Sequence, residues 1–228
     1  MIKVAVSVSC CVLLASSARA ESADDILKRW DIAAKDFHAF SADLKQTSYT
    51  KVVNKSEHQT AVVRLKRTDK GVFGIVRYTS ENQHTIHFAG DAVEDYHPVA
   101  NQLDSINVKK YSSAIRDGLM LGFGTSGKDV KNGYVVKDAV SEMIGSRRTT
   151  RIELIPKDKN AKDYAEKVEL WIPEGENNPI QAKSTEPGGN YELFEYSNVK
   201  LLKLPLKDSD FDFERDQMPN KTTHYTKN

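Results

Sequence analysis

Cysteine is almost absent. The 228 residues hold two, Cys10 and Cys11, both near the start. That start reads as an export signal. Met1-Ile-Lys is a short positive region, Val4 to Ala15 is apolar apart from small serines, and Ala18-Arg19-Ala20 is a cleavage site of the A-x-A kind. Cleavage after Ala20 takes 20 residues from 228 and leaves 208, none a cysteine. Disulfides and thiol catalysis are then excluded, and stability falls to an ordinary core. Long apolar runs are also lacking. The Val4–Ala15 stretch is too short to span a bilayer, and no later segment approaches it. Neither cysteine follows a Leu-Ala-Gly type lipobox. The exported chain is expected to be soluble and unanchored.

An excess of one charge is missing too. Lys and Arg total 33 against 32 Asp and Glu; without Lys3 and Arg19 the balance is 31 to 32, a formal charge of −1. Near-neutrality with interspersed signs argues against nucleic acid and gives little support to an acidic membrane surface. Catalytic signatures are lacking: there is no G-x-S-x-G, no H-E-x-x-H and no conspicuous carboxylate pair. The histidines at 38, 58, 84, 87, 97 and 224 form no metal-spaced set, and His84 and His87, i and i+3 in an expected strand, face opposite sides. No enzyme activity, metal or cofactor is expected. Residues 122–129, Gly-Phe-Gly-Thr-Ser-Gly-Lys-Asp, match G-x-G-x-x-G and nearly match a phosphate-binding loop. Those motifs need a preceding strand inside a βαβ unit. Here a helix is expected before the loop, and Asp129 puts an anion where phosphates would sit.

What is present is short-period alternation. Residues 22–37 have helical spacing through Ile26, Leu27, Trp30, Ala33, Ala34 and Phe37, with Ser22 as cap and Asp24 and Asp25 at the positive end of the helix dipole. Strand-like segments follow near 40–50, 58–67, 72–79, 84–89, 92–97 and 102–107. More lie near 133–144, 148–156, 166–172, 179–186, 190–198, 199–204 and 210–215. Turn sequences such as Asp69-Lys-Gly71 and Pro187-Gly-Gly-Asn190 separate them. This predicts an antiparallel sheet, sandwich or barrel in one domain over 21–228, with a loose polar tail from about 219. Residues 109–124 break the pattern and read as a helix, with Ile115 and Leu119 as i, i+4 partners and Met120, Leu121 and Phe123 extending the apolar cluster. Such a helix either plugs a barrel end or forms a mobile lid; Gly118, Gly122 and Gly124 favour the lid.

The run Ala61-Val-Val-Arg-Leu-Lys-Arg67 carries the most information. Ala61, Val63, Leu65 and Arg67 share one face, and Val62, Arg64 and Lys66 the other. A guanidinium on an apolar face needs acceptors. Arg67 is either a polar latch in an apolar cavity or an end-of-strand arginine reaching water.

In order and spacing, these segments resemble the bacterial lipoprotein carrier LolA and its relatives, from about residue 22 to about 216. The resemblance rests on Phe40-Ser-Ala-Asp-Leu-Lys-Gln46 after a helix, Val63-Arg-Leu-Lys-Arg67 followed by Phe73-Gly-Ile-Val-Arg-Tyr78, and Gly90-Asp91 leading to Tyr96-His-Pro98. It also rests on Leu119 to Asp129, Leu154-Ile-Pro-Lys157, Glu169-Leu-Trp-Ile-Pro173 and Tyr196-Ser-Asn-Val199. Thr68, Glu94 and the charged pair Arg116-Asp117 depart from the usual pattern. The resemblance implies a mainly β fold with helices: an incomplete antiparallel barrel, covered by short α-helices that form a lid over a hydrophobic cavity. It implies a periplasmic, monomeric carrier that ferries acylated lipoproteins from an inner-membrane ABC-type release complex to an outer-membrane acceptor. Arg67 matches the family's cavity arginine, which bonds to lid backbone when closed. Val63, Leu65, Ile86 and Phe88 would be wall residues, and Ile115, Leu119, Leu121 and Phe123 lid residues. The alternative for these eight is ordinary core. Rival functions are transport of another lipid or glycolipid, a lipoprotein-binding stress sensor and, last, a lipid esterase using a cavity serine such as Ser113 beside a histidine.

Overall fold

The computed structural model describes residues 21–69, 71–107, 120–137 and 139–212, and the backbone of 223–227. Helix α1 (Ala23–Ala33) begins where the sequence places it. Ser22 Oγ accepts from the Asp25 amide, and Asp24 and Asp25 occupy the first turn. Its apolar stripe buries Ile26, Leu27 and Trp30, and Trp30 Nε1 donates to the Asn177 carbonyl at 2.7 Å. The helix tightens into a 3-10 turn, Ala34–Asp36, before the first strand.

Six strands then run as an antiparallel meander: β1 (Ala39–Thr50), β2 (Lys55–Thr68), β3 (Gly71–Tyr78), β4 (Thr85–Ala89), β5 (Ala92–His97) and β6 (Gln102–Asn107). After helix α2 (Gly127–Gly133) come β7 (Tyr134–Val136), β8 (Val140–Ile144) and β9 (Arg147–Pro156). The short helix α3 (Lys159–Lys162) follows, then β10 (Lys167–Pro173), β11 (Gln181–Thr185) and β12 (Tyr191–Leu202). Strand β12 returns to pair with β1, which joins both halves in one thirteen-stranded sheet. A last strand, β13 (Thr223–Lys227), lies parallel to β6. The ends of the sheet, β13 and β7, do not meet. The molecule is therefore the incomplete barrel that the resemblance implies. No helix among the described residues is long and apolar enough to cross a membrane.

Side-chain parity builds the inner face. In β2, Ala61, Val63 and Leu65 are buried while Val62 and Arg64 are exposed. Two apolar clusters cover this face. One joins Phe40, Leu44, Val63, Leu65 and Val76 to Met120 and Phe123. The other joins Ile26, Leu27 and Trp30 of α1 to Leu121, Val130, Ile152, Leu154, Leu170 and Ile172. The segment Met120–Phe123 thus feeds both cores, and its apolar side chains bind the helical layer to both halves of the sheet.

Three sequence expectations change. The single segment expected at 133–144 is two strands, Tyr134–Val136 and Val140–Ile144, both paired with β9. The segments expected at 190–198 and 199–204 are one strand with a bulge. Asn198 takes φ +51, a left-handed conformation asparagine tolerates, and its Nδ2 donates to Asp43 Oδ2 at 2.6 Å. Of the strand expected at 210–215, residues 213–215 lie outside the described residues, and Asp208–Phe211 form a 3-10 turn. Asp and Ser favour turns by bonding their own backbone, and Phe211 is buried beneath Lys66, whose ammonium stands 4.9 Å from the ring centre.

Candidate functional site

The inner face of β7 and β9–β12, the 161–165 stretch at the end of α3, and Leu121 line a half-open cavity of about 340 Å³. Its wall is apolar around Leu121, Tyr134, Val168, Ala182, Phe194 and Tyr196. Towards the hairpin joining β11 and β12, the lining turns polar with Ser184, Glu186 and Glu192. The volume falls near the lower end of the range typical of small-molecule sites, roughly 300–1,000 Å³. Burial pushes the Tyr196 hydroxyl far above its ordinary pKa.

The expected wall residues lie elsewhere on the same face. Val63 and Leu65 are buried in the first cluster, and Ile86 and Phe88 pack against it, half-buried. The same cluster holds Met120 and Phe123. Phe123 is fully buried and stacks on Phe40 with centroids 4.1 Å apart and planes 7° apart, while Tyr196 meets its edge at 5.0 Å. Burying a side chain of this kind contributes roughly 1.5–3 kcal/mol. Of the expected lid residues, Leu121 reaches the cavity and Phe123 the first cluster; Ile115 and Leu119 lie outside the described residues. The described end of the expected 109–124 helix is a tight turn, with the Phe123 amide donating to the Met120 carbonyl at 2.8 Å.

Arg67 is half-buried at the end of β2, on the same face as Val63 and Leu65. Its Nη2 donates to Thr125 Oγ1 at 3.3 Å, and Thr125 Oγ1 donates to the Met120 carbonyl at 2.7 Å. The arginine therefore reaches the covering segment through a threonine hydroxyl. The sequence reading missed Thr125, since no local pattern marks a threonine that will meet a guanidinium 58 positions away. Gly124 explains how close the contact is. Its φ is +71, and a Cβ there would stand 2.1 Å from the Phe37 ring. The glycine permits tight docking of the segment on the end of the α1 layer, whatever it contributes to motion.

A polar network crosses the rest of the inner face. Glu192 accepts from Ser48 Oγ at 2.7 Å and from Gln46 Nε2 at 2.9 Å, and Tyr78 donates to Gln46 Oε1 at 2.5 Å. Burial, aided by the negative charges of Glu192 and Asp95, pushes the Tyr78 hydroxyl up to about 12. The Tyr78 ring stacks on His84 at 4.3 Å, and His84 stacks on His97 at 5.2 Å. Between these histidines lies Asp95, 2.7 Å from His84 Nδ1 and 3.3 Å from His97 Nε2. The ligating atoms of His84, Asp95 and His97 all lie within 4.8 Å of one another. Spacing along the chain hides this group, because strand register rather than sequence separation sets His84 opposite His97.

No family model matches the chain, and no curated protein matches it. Solved structures do. An uncharacterized conserved protein from Thermus thermophilus aligns over 90% of this chain and 99% of its own, at 10% identity and a TM-score of 0.53. A LolA superfamily protein from Nitrosomonas europaea aligns over 85% of this chain and 99% of its own, at 16% identity and a TM-score of 0.42. The lipoprotein LppX of Mycobacterium tuberculosis aligns over 81% of this chain and 98% of its own, at 16% identity and a TM-score of 0.43. The first likeness shows a shared fold and nothing about activity; the other two are too distant to carry an argument. The chain thus has the open, helix-covered sheet expected from its resemblance to the LolA family.

Proposed function

We propose that this protein is a periplasmic carrier that shields the acyl chains of lipoproteins between inner and outer membrane. The observation that carries this reading is the apolar cavity under Leu121, continuous with a segment docked over the inner face and tied to β2 through Arg67 and Thr125. Each methylene left in water costs about 0.8 kcal/mol, so a multiply acylated protein needs such a shelter. In the closed state Met120 and Phe123 occupy the space between the sheet and its cover. Lifting them breaks the Arg67–Thr125 bond and exposes Val63, Leu65, Ile86 and Phe88 beside the existing cavity. Acyl chains replace the displaced side chains. The undocking cost offsets part of the binding gain, and this keeps the cargo transferable. Ile115 and Leu119 are assigned to the same cover. The donor would be an inner-membrane ABC-type complex, and the recipient an outer-membrane acceptor.

Glu186 and Glu192 on the lining favour cargo with hydrogen-bond donors near its chains over an anionic lipid. Ser113, the serine named for an esterase, lies outside the described residues; Ser184 lines the cavity, and no histidine is among its described lining residues. The test is binding of a fluorescent diacyl lipopeptide to purified protein. We expect saturable binding that Ala182→Trp, which fills the cavity, reduces at least tenfold while circular dichroism is unchanged. Equal binding by the folded variant would remove the cavity from the function.

A further inference from the structure

We propose that His84, Asp95 and His97 form a binding site for a divalent transition-metal ion, Zn²⁺ foremost, on the inner face away from the cavity. Strand register assembles the three donors. Thr85 of β4 pairs with Tyr96 of β5, so His84, one step earlier, stands opposite His97. The Tyr78 amide donates to the His84 carbonyl at 2.9 Å, so the neighbouring strand still holds this position. Asp95 and His97 are i and i+2 on β5 and share a face.

Two of the three spacings suit one ion as they stand. Donors at zinc–nitrogen and zinc–oxygen distances around a tetrahedral centre stand about 3.3 Å apart. Here the Asp95 carboxylate is 2.7 Å from His84 Nδ1 and 3.3 Å from His97 Nε2. Two imidazoles and a carboxylate are the donor set of open three-ligand zinc sites, with one position left for water or a ligand oxygen. Such a set also takes Ni²⁺ and Cu²⁺, the latter more tightly.

The surroundings are ordered for the task. His84, with 14% of its side chain exposed, sits between the Tyr78 and His97 rings, and Tyr78 is anchored through Gln46. The two imidazoles are parallel, with 1° between planes, so one must turn to aim both lone pairs at an ion. His97, 39% exposed, has room to do so. Asp104 pairs with Asp95 across β5 and β6 and is held by Gln102 Nε2 at 2.7 Å. It adds a second carboxylate on the same face to offset the ion's charge.

The experiment is titration of tag-free, chelator-treated protein with Zn²⁺ by calorimetry, and with Co²⁺ by visible absorption. We expect one ion per chain. We also expect His97→Gln, at the most exposed of the three positions, to lower affinity at least roughly tenfold. His84→Asn should do the same, and His58→Gln should leave binding unchanged. Absence of saturable binding overturns the proposal, as does equal affinity in a folded His84→Asn/His97→Gln double variant. Because the readout is the metal alone, failure here leaves the carrier reading intact, and failure of lipopeptide binding leaves this site intact.

Discussion

Thr125 serves two partners with one hydroxyl: it accepts from Arg67 and donates to the Met120 carbonyl. Thr125→Val keeps the shape and removes both bonds. A loss of about 1–3 kcal/mol is expected. Hydrogen exchange should show faster opening around 120–125 than in β9 or β10; uniform loss across the protein would point to a purely structural role. Tyr78 gives a pH prediction. Its folded pKa, up to about 12, lies above the ordinary value of 10.0. Above pH 10 the unfolded chain therefore loses this proton while the folded chain keeps it. Stability is full below the unfolded pKa and declines as pH rises towards the folded one. Tyr78→Phe should flatten the decline in urea midpoint between neutral pH and about pH 11. An unchanged slope would assign the decline to other groups, Tyr196 first.

At the scale of elements, helices α1 and α2 are held by the absence of a side chain. A Cβ on Gly127 would stand 2.2 Å from the Leu27 carbonyl oxygen, and backbone cannot give way as a side-chain tip can. Gly127→Ala should push the two helices apart and lower the melting temperature by several degrees, the order expected of a change of about one or two kcal/mol in a chain of this size. A melting temperature equal to that of the unaltered protein would show that this packing is slack. Much of this level was legible in the sequence. The alternation of β2 assigned Val63, Leu65 and Arg67 to one face, and Ser22 marked the start of α1. Short-range rules read such features well, because parity and capping depend on neighbours. They did not show that Val63, Leu65, Ile86 and Phe88 share a cluster with Phe123 and Met120, since alternation gives the face and not what covers it. Nor could they join His84 to His97 or Arg67 to Thr125, whose partners meet only once register and docking are fixed.

At the scale of the molecule, an open sheet has an inner face too broad for one small helix. Two clusters and the 120–127 segment cover much of it, and a cavity persists over β9–β12. In the proposed function this is a closed carrier whose cover is fastened by Arg67. The most direct test is release of acylated proteins from spheroplasts by the purified protein, with Arg67→Leu run in parallel. We predict that the protein brings lipoproteins into the soluble fraction, and that Arg67→Leu folds, loads and holds its cargo more tightly against transfer to outer membranes. Failure of the folded protein to release any acylated protein from its native membranes would contradict the carrier, and unchanged transfer by Arg67→Leu would contradict the latch.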